Sequence, residues 1–321
     1  MRKKRVFLLK NKEVVMDGIL NIYKEKGFTS HDVVAKLRGI LKMKRIGHTG
    51  TLDPAAEGVL PVCLGTATRL CDMLTDKVKG YRAVMVFGVA TDTEDMTGQV
   101  IKELPVTCKE TELRSTLVEF IGTYEQIPPM YSAIKVEGKK LYELAREGKV
   151  IERNGRMVTI HSIEVEQIVC DENGFIKEAE IIVTCGKGTY IRSLCRDIGE
   201  KLGTCACMKS LVRIKSGQFE LAESLKLSEI EELRDAGTLA DHLVTVEQVF
   251  ASCGKIRTKE EADKLLKNGN KLPKNSLSEV ITGQDSGEFP VNWYRAYTYE
   301  DGFLGIYEKK NADYVPVKMF L

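Results

Sequence analysis

The stretch Gly47-His48-Thr49-Gly50-Thr51-Leu52-Asp53-Pro54-Ala55-Ala56-Glu57-Gly58-Val59-Leu60-Pro61 constrains this chain more than any other segment of it. Gly47, Gly50 and Gly58 permit backbone conformations that a Cβ forbids, and they let another group approach closely. Pro54 biases Asp53 toward an extended backbone and ends any helix there. The outcome is one carboxylate presented from a stiff, glycine-punctuated loop. On these residues alone a structural bend is the plainer reading, because Asp-Pro is a common turn signal and His-Thr-Gly can fill a turn.

Composition narrows the class of protein without naming it. With 321 residues, the chain is long enough for one large domain, or for a large and a small one, each with its own core. Lys and Arg number 48 against 46 Asp and Glu, a formal charge of +2, so affinity for a polyanion must come from local patches rather than from the whole-molecule field. The nine cysteines form no CxxC pair, which argues against a disulfide framework and for reduced core residues of a cytoplasmic protein. Cys205 and Cys207 with His161 and His242 are the one set that a metal could use; nothing fixes their spacing, and no metal is expected. The start Met1-Arg2-Lys3-Lys4-Arg5 precedes the apolar run Val6-Phe7-Leu8-Leu9, but Lys10 and Lys12 interrupt it too early for a signal peptide. Residues 1–15 read as a basic extension, and no stretch reaches the length of a membrane span.

Helices and strands are interspersed. Thr29 and Ser30 are candidate N-caps for a helix with Val33, Leu37, Ile40 and Leu41 on one face. Tyr81 to Val89 reads as a strand, and Leu113, Leu117, Phe120 and Ile121 mark a second amphipathic helix. Glu178 to Cys185 reads as a strand, Gly186-Lys187-Gly188 as a turn, and Ile191, Leu194, Cys195, Ile198 and Leu202 as one face of a helix. Tyr190 and Arg192 therefore fall at a strand-to-helix junction. The pattern restarts near Ser252 to Thr258, where Thr258 and Glu261 have the spacing of a capping box. Strand-like runs at Arg295 to Tyr299, Phe303 to Tyr307 and Tyr314 to Phe320 suggest a small β-barrel-like module after that boundary.

Several spaced blocks overturn the bland reading of the aspartate loop. They are Gly18-Ile19-Leu20-Asn21-Ile22-Tyr23-Lys24-Glu25-Lys26-Gly27-Phe28-Thr29-Ser30, Lys79-Gly80-Tyr81-Arg82-Ala83, and Phe87-Gly88 with Thr91-Asp92-Thr93-Glu94-Asp95. Gln126-Ile127-Pro128-Pro129-Met130-Tyr131-Ser132-Ala133-Ile134-Lys135 and Lys187-Gly188-Thr189-Tyr190-Ile191-Arg192-Ser193-Leu194 complete the set. With the aspartate loop, and in this order, the chain resembles the TruB family of tRNA pseudouridine synthases over residues 16 to 250, with a weaker likeness to a PUA-type module beyond.

The resemblance implies an α+β fold: a mixed, mostly antiparallel sheet flanked by helices over 16–251, carrying an RNA-clamping insertion at 135–157, and a PUA-like RNA-binding module at 252–321. It implies the conversion of the T-loop uridine of tRNA, position 55 in tRNA numbering, to pseudouridine, without cofactor, metal or guide RNA, by a monomer that also reaches the acceptor stem. Asp53 matches the family's essential aspartate; whether it attacks sugar or base, or abstracts a proton, stays open. Arg192 matches the cation beside it, which would orient the carboxylate and favour its charged form. Tyr81 matches the active-site tyrosine, a ring to stack on uracil and a hydroxyl to assist proton removal. Tyr190 and Leu211 resemble residues lining the same pocket, and His48 one that fills the gap left by the extruded uridine. Lys24, Lys26 and Lys135 are candidate backbone or phosphate contacts, as are Lys139, Lys140, Arg146, Lys149, Arg153 and Arg156 of the insertion. The chain departs from the family pattern at Glu25, where proline is usual, at Val212 and Ile214 within a Leu-Arg-Arg-Thr run, and at Gly186, where serine is usual. Two other readings compete: a related synthase acting on other RNA, and a tRNA-folding chaperone for which modification is incidental.

Overall fold

The computed structural model describes residues 8–10, 13–136, 138–149 and 151–321, so most of the expected basic extension, including its opening run, lies outside the described residues. The strands Leu8–Lys10 and Glu13–Val15 pair antiparallel just ahead of the main sheet.

That sheet has nine strands. Across it run Gly18–Lys24, Glu57–Leu64, Ala206–Ser216, Lys79–Phe87, Ile176–Cys185, Arg156–Cys170 and Gly122–Gln126, with Ile46–His48 beside Glu57–Leu64 and Phe219–Glu220 beside Ala206–Ser216. Every pair is antiparallel except Glu57–Leu64 with Ala206–Ser216, which makes the sheet mixed but mostly antiparallel, as expected. The parallel pair sits mid-sheet, where the chain is covered on both faces: Val59 to Leu64 are all buried. The helices Ser30–Leu41, Glu110–Glu119 and Ile191–Lys201 cover the sheet with faces set by their apolar spacing, Val33, Leu37 and Ile40 in the first and Leu194, Cys195 and Ile198 in the third. Thr29 closes the first helix as a full capping box: its hydroxyl accepts from the Asp32 amide at 3.0 Å and the Asp32 carboxylate accepts from the Thr29 amide at 2.8 Å.

The register aligns distant residues in one transverse row. Lys24 pairs with Gly58, Gly58 with Arg213, Arg213 with Tyr81, and Tyr81 with Val183. Cross-strand partners share a face, so Lys24, Arg213 and Tyr81 are brought together by the sheet although the sequence separates them. Gly58 is the gap in this row. Its φ is +102° and a Cβ there would run into the backbone of Arg213, so two strands approach at a point where only glycine fits.

A six-stranded sheet follows, in the order Leu272–Pro273, Asp313–Met319, Phe303–Lys310, Trp293–Tyr297, Gly254–Thr258 and Leu277–Ile281. Ile256, Leu266, Leu272, Tyr294, Tyr307 and Tyr314 form its core. Phe250, Phe289 and Ile306 pack with Ile19, Val59 and Cys63 of the larger sheet, and the Arg69 guanidinium donates to the Met319 carbonyl at 2.7 Å, so the two sheets are joined by apolar and polar contacts.

Several expectations need correction. Thr258 is not a helix cap; it ends a strand, and its hydroxyl donates to the Asp263 carboxylate and the Tyr297 carbonyl, while the next turn is capped at Lys259. Ile121 lies beyond the helix Glu110–Glu119 and is exposed, because the chain turns at Phe120. The strand around Tyr81 begins at Lys79 and ends at Phe87, since Gly88 takes a positive φ. Seven cysteines are buried, but Cys170 is exposed at a strand end and Cys71 only half-buried.

Gly58→Ala is expected to lower the unfolding free energy by about 3 kcal/mol through backbone strain and displacement of Arg213. Chemical denaturation of the variant beside wild type measures it; a loss under about 1 kcal/mol would mean the two strands separate without cost.

Candidate active site

The loop carrying Asp53 is tied at nearly every residue. Thr49 donates its amide to the Pro61 carbonyl at 3.0 Å, and the Leu52 amide donates to the Ser30 hydroxyl at 2.9 Å. The Ala56 amide donates to Asp53 O at 3.1 Å, and Gly27 to Pro54 O at 2.8 Å. Buried cations complete the cradle. Lys24, fully inaccessible, donates from Nζ to Ala56 O at 2.6 Å and more distantly to Glu25 O and Pro54 O. Arg213, also fully inaccessible, donates from Nε to Val59 O at 2.6 Å and from Nη2 to Gly50 O at 3.3 Å. Cationic side chains thus hold carbonyls on both sides of the aspartate.

The carboxylate itself meets Arg192. Nε lies 2.9 Å from Asp53 Oδ2, while Nη1 donates to Thr93 O and Nη2 to Tyr131 O, each at 2.9 Å. Asp95 approaches the same Nε at 3.9 Å. Three of the guanidinium's edges are therefore fixed by three separate segments, and its orientation is determined by the fold. The Asp53 side chain stays 40% exposed against 5% for Arg192, and no donor among the described residues reaches Oδ1. One carboxylate oxygen is held, and the side chain is otherwise partly open to solvent.

Tyr81 lies across from Arg213 in the sheet, buried with Leu52 and Leu211 in the main core cluster. Burial pushes its phenol up to about 12, opposed by the charge of Arg213 and a hydrogen bond from it. Burial in turn pulls the Arg213 guanidinium down. Tyr81 is thus a neutral phenol at physiological pH, with a cation at its oxygen to stabilise any negative charge that develops there. Tyr190 caps the helix that bears Arg192, and burial raises its phenol too. The Gln126 side chain fixes this cap: Oε1 accepts from the Tyr190 amide at 2.8 Å and Nε2 donates to the Tyr190 carbonyl at 3.1 Å.

His48 stands at the edge of the cleft, its ring edge-on to that of His31 at 5.2 Å. Burial, followed by the charges of His31 and Arg213, lowers its imidazole below the ordinary range, so it is neutral near pH 7. Its Nδ1 is buried without a hydrogen-bond partner. Lys79 lies near Gly50 and, like Lys24, is pulled down to about 8 chiefly by burial.

Arg192 meets Asp53, Tyr81 and Leu211 share one core cluster with Leu52 of the Asp53 loop, Lys24 holds that loop, Tyr190 precedes the Arg192 helix, and His48 ends the strand Ile46–His48. Lys24 supports the loop from beneath and is not available to a phosphate. Lys135 is exposed on the hairpin Lys135–Val136 and Lys139–Lys140, with no contact to Asp53 or Arg192 among the described residues. The insertion has its own small cluster of Met130, Leu141 and Leu144. Arg213 and Gln126 were not singled out from sequence. The alternation of strand Ala206–Ser216 places Arg213 two residues from Leu211 and therefore on the same face, a signal strong enough to have identified it.

Residues 38–191 match the model of a family described as TruB family pseudouridylate synthase (N terminal domain), and residues 192–267 that of the tRNA pseudouridylate synthase B C-terminal domain. The division between the two falls inside the main sheet, just after Ile191. A tRNA pseudouridine synthase B from Lachnoclostridium phytofermentans is 54% identical over 312 residues, covering 95% of this chain and 100% of the relative. One from Staphylococcus haemolyticus is 48% identical over 272 residues, 84% of this chain and 89% of that one. Among solved structures, the crystal structure of a Cbf5-Nop10-Gar1 complex is similar with a TM-score of 0.69 at 26% identity, over 95% of this chain and 85% of the other.

The buried lysines leave a pH signature. Lys24 titrates near 8 when folded and near 10.5 when free, so between these values the unfolded chain binds the extra proton and stability rises with pH. Relative to the non-titrating Lys24→Met variant, wild type should gain stability from pH 8 to 10.5; equal pH dependence of the two in chemical denaturation would contradict the downward shift that burial imposes on Lys24.

Proposed function

This chain belongs to the TruB family of pseudouridylate synthases, and we propose from that membership and from the geometry at Asp53 that it converts a uridine of tRNA to pseudouridine. The target we infer is the T-loop uridine at position 55. The observation that carries the reading is the half-exposed Asp53 carboxylate, held through one oxygen by a buried Arg192 and free at the other.

The reaction breaks the bond between uracil N1 and ribose C1′, forms one between C5 and C1′, and moves a proton from C5 to N1. It needs no redox equivalent and no triphosphate. The ionised Asp53 serves as nucleophile toward sugar or base, or as the base of an elimination route; each entry step uses the free Oδ1. Arg192 aims that carboxylate through its fixed guanidinium. The Tyr81 ring and Leu211 supply an apolar wall for the uracil, and the Tyr81 hydroxyl, with Arg213 beside it, assists removal of the C5 proton. Tyr190 closes the other side. Reaching a uridine inside a folded loop requires its extrusion, at a cost of a few kcal/mol, and we assign the neutral His48 ring to the gap that it leaves.

The six-stranded sheet, with the segments around it over 252–321, we assign as a PUA-type RNA-binding module that contacts the acceptor stem. Identity of 54% to a tRNA synthase against 26% to a protein of a multi-subunit complex supports a stand-alone enzyme, without guide RNA.

Tritium release from C5-labelled tRNA transcript tests the assignment. Wild type should release label, whereas Asp53→Asn, and wild type on a transcript with cytidine at the target, should release none. Binding without release by wild type would sink the catalytic reading and favour a tRNA-folding chaperone. Arg192→Lys keeps the charge but loses the fork to Thr93 and Tyr131; its kcat should fall about 100-fold with transcript affinity changed only a few-fold. A kcat within about threefold of wild type would show that the fork does not position Asp53.

A further inference from the structure

We propose that Lys36, Arg38, Lys42, Lys44 and Arg45 form a track for the sugar-phosphate backbone of the substrate RNA, leading along the strand Ile46–His48 into the active site. The inference rests on the RNA-modifying reading above and names the surface that holds the RNA.

Residues 36–45 contain five cations and no acid. All five are exposed, and none lies within ion-pair distance of a carboxylate among the described residues. Their contacts position them without neutralising them: Lys36 lies 4.8 Å over the Phe28 ring, Arg38 donates to Ile46 O at 3.4 Å, and Arg45 to the Thr68 hydroxyl at 2.8 Å. The preference of a helix C-terminus for positive charge accounts for Arg38 in the last turn of Ser30–Leu41, but not for Lys44 and Arg45 in the loop beyond it.

The insertion presents the opposite case. Over 135–156 it carries seven cations but also four acids. Lys139 and Lys149 both pair with Glu147, at 3.5 and 2.8 Å, Arg153 donates to Pro128 O at 3.0 Å, and Arg146 lies 5.4 Å over the Tyr142 ring. Lys139 and Lys149 would have to exchange a carboxylate for a phosphate, whereas the cations of 36–45 give up no carboxylate.

Position supports the same conclusion. Arg45 is followed by an extended strand that ends at His48, so about 10 Å of chain separates the last cation from the ring at the cleft edge. Glu25 and Glu231 line the adjoining groove with Lys36, Lys42 and Arg234. Lys44 and Arg45 lie outside that lining, nearer in sequence to the strand Ile46–His48.

The test compares wild type, Lys36→Gln/Lys42→Gln/Lys44→Gln and the insertion control Lys139→Gln/Lys149→Gln. Affinity for a tRNA transcript is measured across KCl concentrations, and tritium release in single turnover at saturating enzyme. Each phosphate that no longer meets a cation lowers the slope of log affinity against log salt by about 0.7 to 0.9. The triple variant should therefore lose about 2 in slope and about tenfold or more in affinity, with release at saturation unchanged, while the control loses under about 0.5 in slope. An unchanged slope in the triple variant, a larger loss in the control, or slowed release at saturation would overturn the track. If wild type released no label yet the triple variant lost slope, the reaction assigned above would fall and the track would stand.

Discussion

The site depends on one constraint, the attachment of a polar loop to a row of buried positive charge. Lys24 and Arg213 lie in line across the sheet with Gly58 between them, and both are inaccessible to solvent. A buried ammonium or guanidinium is costly unless its donors are satisfied. The acceptors that satisfy these two are the carbonyls of Gly50, Pro54, Ala56 and Val59. The cost of burying the cations and the cost of fixing an irregular loop are therefore offset by a single set of hydrogen bonds. The loop cannot shift without leaving a charge unsatisfied, which is why a carboxylate half in solvent can be held as firmly as a core residue.

The sequence was informative where a local rule governs and silent where register does. The helix from Ser30 was legible because its cap and apolar spacing are both local, and the strand-to-helix junction at Tyr190 was legible from the turn before it. The Asp53 loop was legible as a constrained bend from its glycines and Asp-Pro step, and only the spaced blocks elsewhere in the chain made it a candidate site. The transverse row was not: nothing in residues 24, 58, 81 and 213 shows that their strands lie side by side, since strand order is set by long-range packing. The same reason hid Gln126, whose amide completes a helix cap more than sixty residues away. Thr258 misled because a threonine with a glutamate three residues on also occurs where a strand ends and its hydroxyl turns to another segment.

Arg192 links parts of the molecule that have different tasks. Thr93 belongs to the loop after the strand Val89–Thr91, Tyr131 to the segment leading toward the hairpin at Lys135–Val136, and Asp53 to the glycine-punctuated loop, and one guanidinium contacts all three. Its helix is in turn fixed by the ion pair of Arg196 with Glu94 and by the bond from Ser193 to the same carboxylate at 2.6 Å. Displacement of the insertion at Tyr131 is felt by the carboxylate through a single rigid group.

The roles of the ion-paired residues in stability and in chemistry separate cleanly. Removing the charge of Asp53 leaves Arg192 with the carbonyls of Thr93 and Tyr131 and with Asp95 at 3.9 Å, so the cation remains compensated and the fold is retained. Removing the Arg192 guanidinium instead strands two carbonyls and leaves the nearly buried Asp95 without its cation, a change of the kind that costs several kcal/mol. Asp53 is thus the member of the pair that folding can do without. That asymmetry matches its exposure: the carboxylate is held by the fold but does not hold it.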